Sequence, residues 1–261
     1  ERCQMGEEVT ERLILIPAKL KVEKTIRPKY VCNSKQCSNE DIFILPLPPR
    51  ILPKSNASPS IIADILTKKY VDHLPLYRQQ QAWKRLGIHM PRNTMCGWIM
   101  TLAEECSVLY RLLRKHILRY DVICVDETTV QVLNEPERGN HKKSYIWAYR
   151  GGPPNKTVVY FEYQESRESE HPMRFLETYS GFVMSDAYSG YHWIDREENF
   201  RVIHVYCMSH ARRPFAELVK LTKTPGYAHT AVGYFAELYT IEKQARDYNL
   251  TPEARFILRL K

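Results

Sequence analysis

The sequence predicts an α/β protein in which a mixed sheet with flanking helices follows a helical module and a small N-terminal β module. Three observations support this fold class. Apolar residues recur at helical spacing between residues 59 and 119. From residue 120 onward, short apolar and β-branched runs replace that spacing. A proline-rich stretch precedes the helices and reads as an extended linker. The predicted parts are a β module (1–45), a linker (46–58), a helical module (59–119) and an α/β part (120–261).

Composition and charge narrow the class of protein. The chain has 261 residues, 44% hydrophobic and 26% charged, which is an ordinary globular balance. Its net charge of +8 favours a polyanionic partner, with nucleic acid ahead of an anionic membrane. No apolar run approaches the roughly 18–20 residues that span a bilayer, and no signal-peptide pattern opens the chain. Seven cysteines, an odd number, suit a reducing compartment. We therefore expect a cytoplasmic protein without membrane contact.

The helical module has the layout of a DNA-binding fold. Its apolar spacing predicts helices near 60–71, 76–86 and 92–104, and a longer helix near 105–119. A short turn containing Gly87 joins the second and third of these helices. Two helices joined in this way predict a helix-turn-helix.

The charge of the helical module agrees with contact to a DNA backbone. Residues 59–119 carry ten Lys or Arg against four Asp or Glu. In a helix-turn-helix, base-edge contacts usually come from the first residues of the recognition helix, which here is the helix predicted near 92–104. A helical bundle with solvated lysines is the alternative. The candidate DNA-binding residues are Arg92, Asn93, Thr94, Lys84 and Arg85.

The α/β part has a recognisable order of elements. Three strands come first, then a helix, a fourth strand, a fifth strand and two further helices. This is the order of a ribonuclease-H-like sheet, in which the first and fourth strands are neighbours. The predicted strands are 121–126, 145–150, 157–163, 181–186 and 202–206, and the predicted helices are 172–179, 208–222 and 227–248.

Two strands of this part are predicted to end in aspartate, at Asp126 and Asp186. If the two strands are neighbours, their carboxylates meet and repel each other unless a cation lies between them. Hard oxygen ligands of this kind suit Mg²⁺ or Mn²⁺, and such ions can catalyse phosphodiester cleavage. Aspartates at strand ends also serve as turn formers and helix caps, which is the structural alternative. The pair is our candidate catalytic and metal-binding site.

A second cluster follows the fifth strand directly and contains Cys207, His210, Arg212 and Arg213. Cys-x-x-His is half of a metal site, whereas arginines at the start of a helix bind phosphates. A buried cysteine, an exposed histidine and a solvated basic helix are the plain alternative. We favour support of the active site by His210 and Arg213 over metal binding.

Cys32 and Cys37 form a candidate partial zinc site near the N-terminus. A zinc site needs about four ligands, and only Cys3 lies nearby in the sequence. Zn²⁺ binding is therefore expected only with residues that precede Glu1. Otherwise the two are free cysteines.

Several segments of the chain, among them VDETTVQVL, SYIWAYRGG, MSDAYSGY and CMSHARRPF, stand out together. Together they resemble the transposases of the insertion sequence 66 family, along nearly the whole chain. Those enzymes resemble the wider class with a ribonuclease-H-like core and an Asp-Asp-Glu triad. The resemblance implies that Asp126 and Asp186 are the first two triad members. It also places Cys32 and Cys37 at the second cysteine pair of a zinc-finger-like module, with four intervening residues where two are usual.

The sequence also departs from the family pattern. The first cysteine pair would precede Glu1, and the triad glutamate would lie in a later segment, beyond a helical insertion. Glu217, Glu237 and Glu242 are available in its place, and none of them is assigned. The chain is therefore expected to be a fragment that holds two of the three catalytic carboxylates.

The expected function is that of a DNA transposase, a homo-oligomer acting on transposon ends and target DNA. It would use Mg²⁺ or Mn²⁺ to cleave DNA and to join the free 3′-hydroxyls to the target. Two alternatives stay open: a truncated, inactive remnant that only binds DNA, and another ribonuclease-H-like nuclease such as a junction resolvase. An α/β enzyme that does not act on DNA would leave the basic helical module unexplained.

Overall fold

The computed structural model describes residues 9–14, 19–31, 42–196, 201–222 and 224–260. The chain divides into two compact units, residues 1–98 and 99–261. Each unit is described by itself below. The candidate zinc ligands Cys32 and Cys37 lie outside the described residues.

The N-terminal part of the first unit contains a small antiparallel ladder. Strand β1 (Lys29–Tyr30) pairs with β2 (Phe43–Ile44). In the described residues before Lys29 no strand forms, so the β module predicted there is reduced to this ladder. The apolar side chains of that stretch, such as Val22 and Ile26, are exposed. Their alternation therefore has no core against which a strand could form.

Helices α1 (Pro59–Tyr70) and α2 (Leu76–Arg85) form the centre of the first unit. The hydroxyl of Ser58 accepts a hydrogen bond from the Ile61 amide at 3.4 Å and so caps α1. The buried Gln79 side chain donates from Nε2 to the carbonyls of Ile65 (3.2 Å) and Leu74 (3.0 Å). One amide group thus ties α2 to α1 and to the turn between them.

The connection from α2 to α3 (Arg92–Glu105) contains Gly87, the glycine that the sequence placed in this turn. Gly87 has a φ of 76°, a conformation that glycine adopts without a Cβ penalty. The Ile88 amide donates to the Trp83 carbonyl and the Gly87 amide to the Lys84 carbonyl, both at 3.0 Å. These two bonds are a Schellman motif, which ends α2 and leaves residues 86–91 as the link to α3.

The second unit is built on a five-stranded mixed sheet, which confirms the α/β class. The strand order is β5-β4-β3-β6-β7; β3, β4 and β5 are antiparallel, while β6 and β7 run parallel to β3. The prediction that the first and fourth strands of this part are neighbours is therefore confirmed. The strands are β3 (Val122–Val130), β4 (Ser144–Gly151), β5 (Val158–Gln164), β6 (Gly181–Ser185) and β7 (Val202–Tyr206).

Helices lie before, between and after these strands. The helix predicted over 172–179 begins at Glu170 and ends at Phe175. Pro172 fits there because the first turn of a helix needs no amide donor. The remaining predicted helices agree with the structure to within two residues at each end. The helices of the second unit are α4 (Ser107–Ile117), α5 (Glu170–Phe175), α6 (Met208–Leu221), α7 (Tyr227–Asp247) and α8 (Pro252–Arg259).

The core of the second unit lies on one face of the sheet. Alternate residues of the strands are buried there, and the ring of Tyr149 stacks on that of Phe175 with centroids 3.5 Å apart. The opposite face carries exposed apolar side chains in the described part of the chain. The inward residues include Ile123, Val125, Trp147, Tyr149 and Val183, and the exposed ones include Val122, Phe161, Phe182 and Ile203.

Tyr179 holds the starts of the two central parallel strands together. Its buried hydroxyl lies 2.9 Å from the Asp121 carbonyl and 3.1 Å from the carbonyls of Tyr120 and Phe182. Gly181, at a φ of 148°, leaves room for this hydroxyl, since a Cβ there would lie 2.6 Å from it. Burial raises the pKa of Tyr179 to about 12, so the hydroxyl keeps its proton and donates at neutral pH.

Tyr179→Phe is expected to lower the free energy of unfolding by about 1–2 kcal/mol, because the carbonyls at the strand starts lose a buried donor. Urea denaturation followed by fluorescence measures this. Tyr234→Phe is the matched control, because Tyr234 is 63% exposed. Equal midpoints for wild type and Tyr179→Phe would contradict the role given to this hydroxyl.

Candidate active site

The pairing of β3 with β6 sets the positions of the two candidate aspartates. The ladder runs from Val122 opposite Phe182 to Cys124 opposite Met184, a constant offset of 60 residues. Asp126 and Asp186 have the same offset, and each lies two residues beyond the last pair. Both therefore leave the same end of the parallel ladder on neighbouring strands.

The structure corrects the prediction that Asp126 ends its strand. Strand β3 continues to Val130, because its antiparallel partner β4 keeps pairing as far as Ser144. Asp126 is the position where β3 has already parted from β6. Asp186 does follow its strand, which ends at Ser185.

The two carboxylates differ in their surroundings. Asp126 is exposed, and its Oδ1 accepts only the amide of the next residue, at 3.0 Å, within the described residues. Asp186 is partly buried, and its Oδ1 accepts the Tyr188 amide at 3.0 Å, which forms a turn. Neither second oxygen accepts a hydrogen bond from a described residue, although Oδ2 of Asp186 lies within ion-pair distance of Arg167. Within the described ranges, no group of three or more His, Cys, Asp or Glu residues is placed to hold a metal ion.

A buried ion pair that the sequence did not predict lies beside Asp186. The Glu127 side chain is 1% exposed, and Arg167 donates to its Oε1 from Nε at 2.5 Å, while Nη2 of Arg167 forms an ion pair with the same oxygen. The same Nη2 lies 3.8 Å from Oδ2 of Asp186. Tyr191 donates its hydroxyl to the other Glu127 oxygen at 2.6 Å, and the guanidinium lies 3.6 Å over the Tyr188 ring. Arg167 therefore links the interior of the sheet to the candidate metal ligand.

This network fixes the charges of its members. Burial alone lowers the pKa of Arg167, but the hydrogen bond and charge of Glu127 outweigh it, so this pKa is raised. The pKa of Tyr191 is also raised, mainly by burial and further by its hydrogen bond to Glu127. At neutral pH a guanidinium cation and a neutral phenol thus surround Glu127.

A cavity of about 480 Å³ opens between the end of β6 and the start of α6. The amide of Cys207 donates to the Ser185 carbonyl at 2.8 Å and so brings the start of α6 to the end of β6. The cavity thus brings together the predicted Asp186, His210 and Arg213, while Asp126 does not line it. Its wall is formed by Arg167, Asp186, Ala187, Tyr188, Tyr206, Cys207, His210, Ala211, Arg213, Pro214 and Glu217.

Behind Asp186, a chain of hydrogen bonds fixes the end of β6. Ser185 Oγ lies 2.7 Å from Nε2 of His204, whose Nδ1 lies 3.2 Å from the Asp195 carboxylate. Burial alone raises the pKa of Asp195, but hydrogen bonds from His204 and Tyr206 outweigh it and lower this pKa. The arrangement looks like a Ser-His-Asp triad, but Ser185 is only 2% exposed and no substrate could reach it. We therefore assign it a supporting role.

The candidate DNA-binding residues lie on two helix ends of the helical module. Arg92, Asn93 and Thr94 form the exposed first positions of α3, and Lys84 and Arg85 form the exposed last positions of α2. The Arg92 amide donates to the Gln80 side chain at 3.3 Å, which links the two helices.

The three unassigned glutamates fall in different environments. Glu217 lines the cavity that contains Asp186. Glu242 is bound by Arg255 and, at 2.6 Å, by Nε of Arg259, so its carboxylate clamps α7 to α8. Glu237 is exposed on α7.

Comparison with known proteins identifies the family. The profile described as "Transposase IS66 family" matches residues 54–261, and that described as "zinc-finger binding domain of transposase IS66" matches residues 1–37. The chain belongs to the IS66 transposase family, as the sequence resemblance implied.

Curated relatives include two proteins of Sinorhizobium fredii (strain NBRC 101917 / NGR234), both described as uncharacterized. Protein y4jD is 33% identical over 93% of this chain and 48% of its own length. Protein y4hP is 29% identical over 98% of this chain and 48% of its own length. The chain thus spans about half the length of the curated relatives it matches.

Among solved structures, a chain from the simian T-cell lymphotropic virus intasome in complex with PP2A regulatory subunit B56 gamma is 11% identical. The match covers 54% of this chain and 48% of that chain, with a TM-score of 0.25, which is too low to support an argument. None of the helices in the described ranges combines the length and hydrophobicity needed to cross a membrane.

Glu242→Gln is expected to weaken the packing of α8 at neutral pH but not in acid. Hydrogen bonds from Arg259 and Arg255 lower the pKa of Glu242 below its usual 4.5. A carboxyl group with a lowered pKa stabilises the folded state above its unfolded pKa, and this contribution is lost as the pH falls through the folded value.

The expected loss is about 1 kcal/mol at pH 7, since the arginines are about half exposed, and it disappears as the pH falls below the folded-state pKa of Glu242. Thermal unfolding followed by circular dichroism across this range measures it. The matched control is Glu237→Gln on the exposed side of the same helix. A constant difference at every pH would rule out the ionic clamp.

Proposed function

We propose that the intact protein to which this chain belongs is a DNA transposase whose catalytic core includes the α/β part (120–261), with a ribonuclease-H-like sheet. The observation that carries the proposal is the position of Asp126 and Asp186 at one end of the β3–β6 ladder. The strand order, with three antiparallel strands followed by two parallel ones, supports the fold. The proposed reaction is cleavage of DNA at the ends of the element and joining of the 3′-hydroxyls to target DNA.

The residues of this chain have separate proposed roles in that reaction. Asp126 and Asp186 would hold Mg²⁺ or Mn²⁺, which when bound activates the attacking oxygen and stabilises the leaving one. His210 and Arg213, in the cavity beside Asp186, would contact the scissile phosphate or the flanking strand. Glu127 would fix the guanidinium of Arg167 next to Asp186. Because water or a hydroxyl is the nucleophile, no side chain needs to form a covalent bond to DNA.

The helical module is proposed to bind the DNA as a helix-turn-helix, with α3 as the recognition helix. Arg92, Asn93 and Thr94 stand at the helix start, which is the end that reads base edges in such folds. Lys84 and Arg85 would contact phosphates. The division into parts at 1–45, 46–58, 59–119 and 120–261 belongs to the same proposal, as does action as a homo-oligomer.

A zinc site is proposed for the N-terminal module, consistent with the zinc-finger profile that matches residues 1–37. Cys32 and Cys37 would supply two thiolates, and residues that precede Glu1 in the intact protein would supply the others.

Asp126→Asn in the intact protein is expected to reduce Mg²⁺-dependent strand cleavage at least about a hundredfold, because the amide removes a charged ligand. Cleavage of a labelled duplex that carries the element's end measures this. Asp121→Asn is the matched control, since Asp121 is exposed just before the same strand. Undiminished cleavage by Asp126→Asn would overturn the assignment. Cleavage of branched DNA without strand joining would instead favour another nuclease.

A second candidate function is DNA binding alone, and the exposed basic ends of α2 and α3 favour it. Arg85→Ala is expected to weaken binding of a DNA duplex and to reduce the slope of log affinity against log salt by about 0.9. Lys156→Ala, in the second unit, is the control. Salt-sensitive binding in a protein that never cleaves DNA with Mg²⁺ would favour this function over transposition. An unchanged slope in Arg85→Ala would remove Arg85 from the DNA contacts.

A further inference from the structure

The Glu127–Arg167 pair costs the fold free energy unless something compensates for it, because a nearly inaccessible carboxylate has lost its water. An apolar residue at position 127 would pack the inward face of β3 more simply, as Val125 does. The pair therefore has to be explained by what it holds in place. The pair holds the guanidinium of Arg167, which donates to Glu127 and lies over the Tyr188 ring.

The orientation of Arg167 leaves part of its guanidinium available. Nε and Nη2 face Glu127, and Nη2 also approaches Asp186, whereas Nη1 makes no hydrogen bond to any described residue. The side chain is 38% exposed and lines the cavity at the start of α6. A planar guanidinium with free donors at a cavity wall is suited to an anion that offers more than one oxygen, such as a phosphate.

The opposite wall of the cavity is also suited to an anion. Helix α6 begins at Met208, and Cys207 before it provides no side-chain cap, so the first amides keep unpaired N–H groups among the described residues. The helix dipole adds partial positive charge there. Nδ1 of His210 is buried without a hydrogen-bond partner in the described part of the chain, and Arg213 lines the same wall.

Two carboxylates limit where an anion can lie. Asp186 and Glu217 also border the cavity and would repel a phosphate. Nη2 of Arg167 lies 3.8 Å from Oδ2 of Asp186, so it offsets part of that negative charge. Two arginines, Arg167 and Arg213, thus face the two carboxylates of the cavity wall, and the helix start adds partial positive charge.

We propose that Arg167, positioned by buried Glu127, forms with the first turn of α6 a seat for one phosphate group beside Asp186. The proposal rests on the proposed function in one respect: the phosphate would be one of the DNA backbone near the cleaved bond. In that role Arg167 is a binding residue, and Glu127 is a positioning residue that acts through it. The opposing explanation is a clamp that only fastens the β5–α5 connection to the sheet.

Cys207 provides a reporter inside the seat, because its partly buried thiol lines the cavity. Alkylation of Cys207 by iodoacetamide is followed by peptide mass spectrometry while inorganic phosphate replaces chloride at constant ionic strength. EDTA is present, so no cleavage can occur. Cys96, an exposed thiol on α3, is the reference within the same molecule. Phosphate is expected to slow alkylation of Cys207 several-fold and to leave Cys96 unchanged.

Arg167→Gln is expected to raise the phosphate concentration for half-protection about tenfold, the effect of losing one charge-assisted contact. Glu127→Gln keeps the side-chain shape and removes the charge, so protection should weaken in the same direction. Arg174→Gln is the matched control: Arg174 lies on α5, 3.9 Å from Glu162, and does not line the cavity. Its midpoint should equal that of wild type. Circular dichroism checks that each variant is folded.

If Arg167→Gln does not fold, Arg167→Lys tests the same point, since it keeps the charge but cannot reach both carboxylates and the anion. An intermediate midpoint supports the seat. The proposal is overturned if phosphate does not protect Cys207 in the wild-type chain, or if Arg167→Gln and Arg167→Lys leave the midpoint unchanged. Asp126→Asn separates the two proposals, because it should abolish cleavage by the intact protein without reducing protection by phosphate.

Discussion

The parallel ladder between β3 and β6 is the constraint on which the second unit depends. Its offset of 60 residues brings Asp126 and Asp186 to the same end of the sheet. The ladder is held at its start by the Tyr179 hydroxyl, and the bond from Cys207 to Ser185 fixes the far end of β6 to the start of α6. The backbone that surrounds the two aspartates is therefore fixed by groups that play no part in chemistry.

The candidate site adds an electrostatic requirement to this geometry. The two neighbouring aspartates, Asp126 and Asp186, need positive charge nearby, and Arg167 supplies it beside Asp186 in the protein itself. The cost of burying its partner Glu127 is offset by hydrogen bonds from Arg167 and Tyr191. Such a network is expected where a protein must present a cation in a fixed orientation, since an arginine free in solvent would sample many rotamers.

Much of this arrangement could be predicted from the sequence because it depends on local periodicity. Helical spacing located α1 to α4, and apolar runs located the five strands of the second unit. Features set by distant partners could not be predicted. The length of β3 depends on β4, and Glu127 meets Arg167 only because the fold brings together residues 40 positions apart. The N-terminal alternation did not predict strands in the described residues, because apolar side chains there, such as Val22 and Ile26, are exposed. The one available signal for Glu127 was an acidic residue on the inward face of a strand.

The adjacent acids Asp126 and Glu127 also bear on how the sheet finds its correct alignment. Side chains of a strand alternate between faces, so a slip of β3 by one residue would exchange the two. Asp126 would then be buried with a shorter side chain that reaches neither Arg167 nor Tyr191, and Glu127 would face solvent. The misaligned sheet would thus contain an uncompensated buried charge, whereas the native one contains a paired charge. The same residues that form the candidate site therefore select one alignment of the central strand over its nearest competitors.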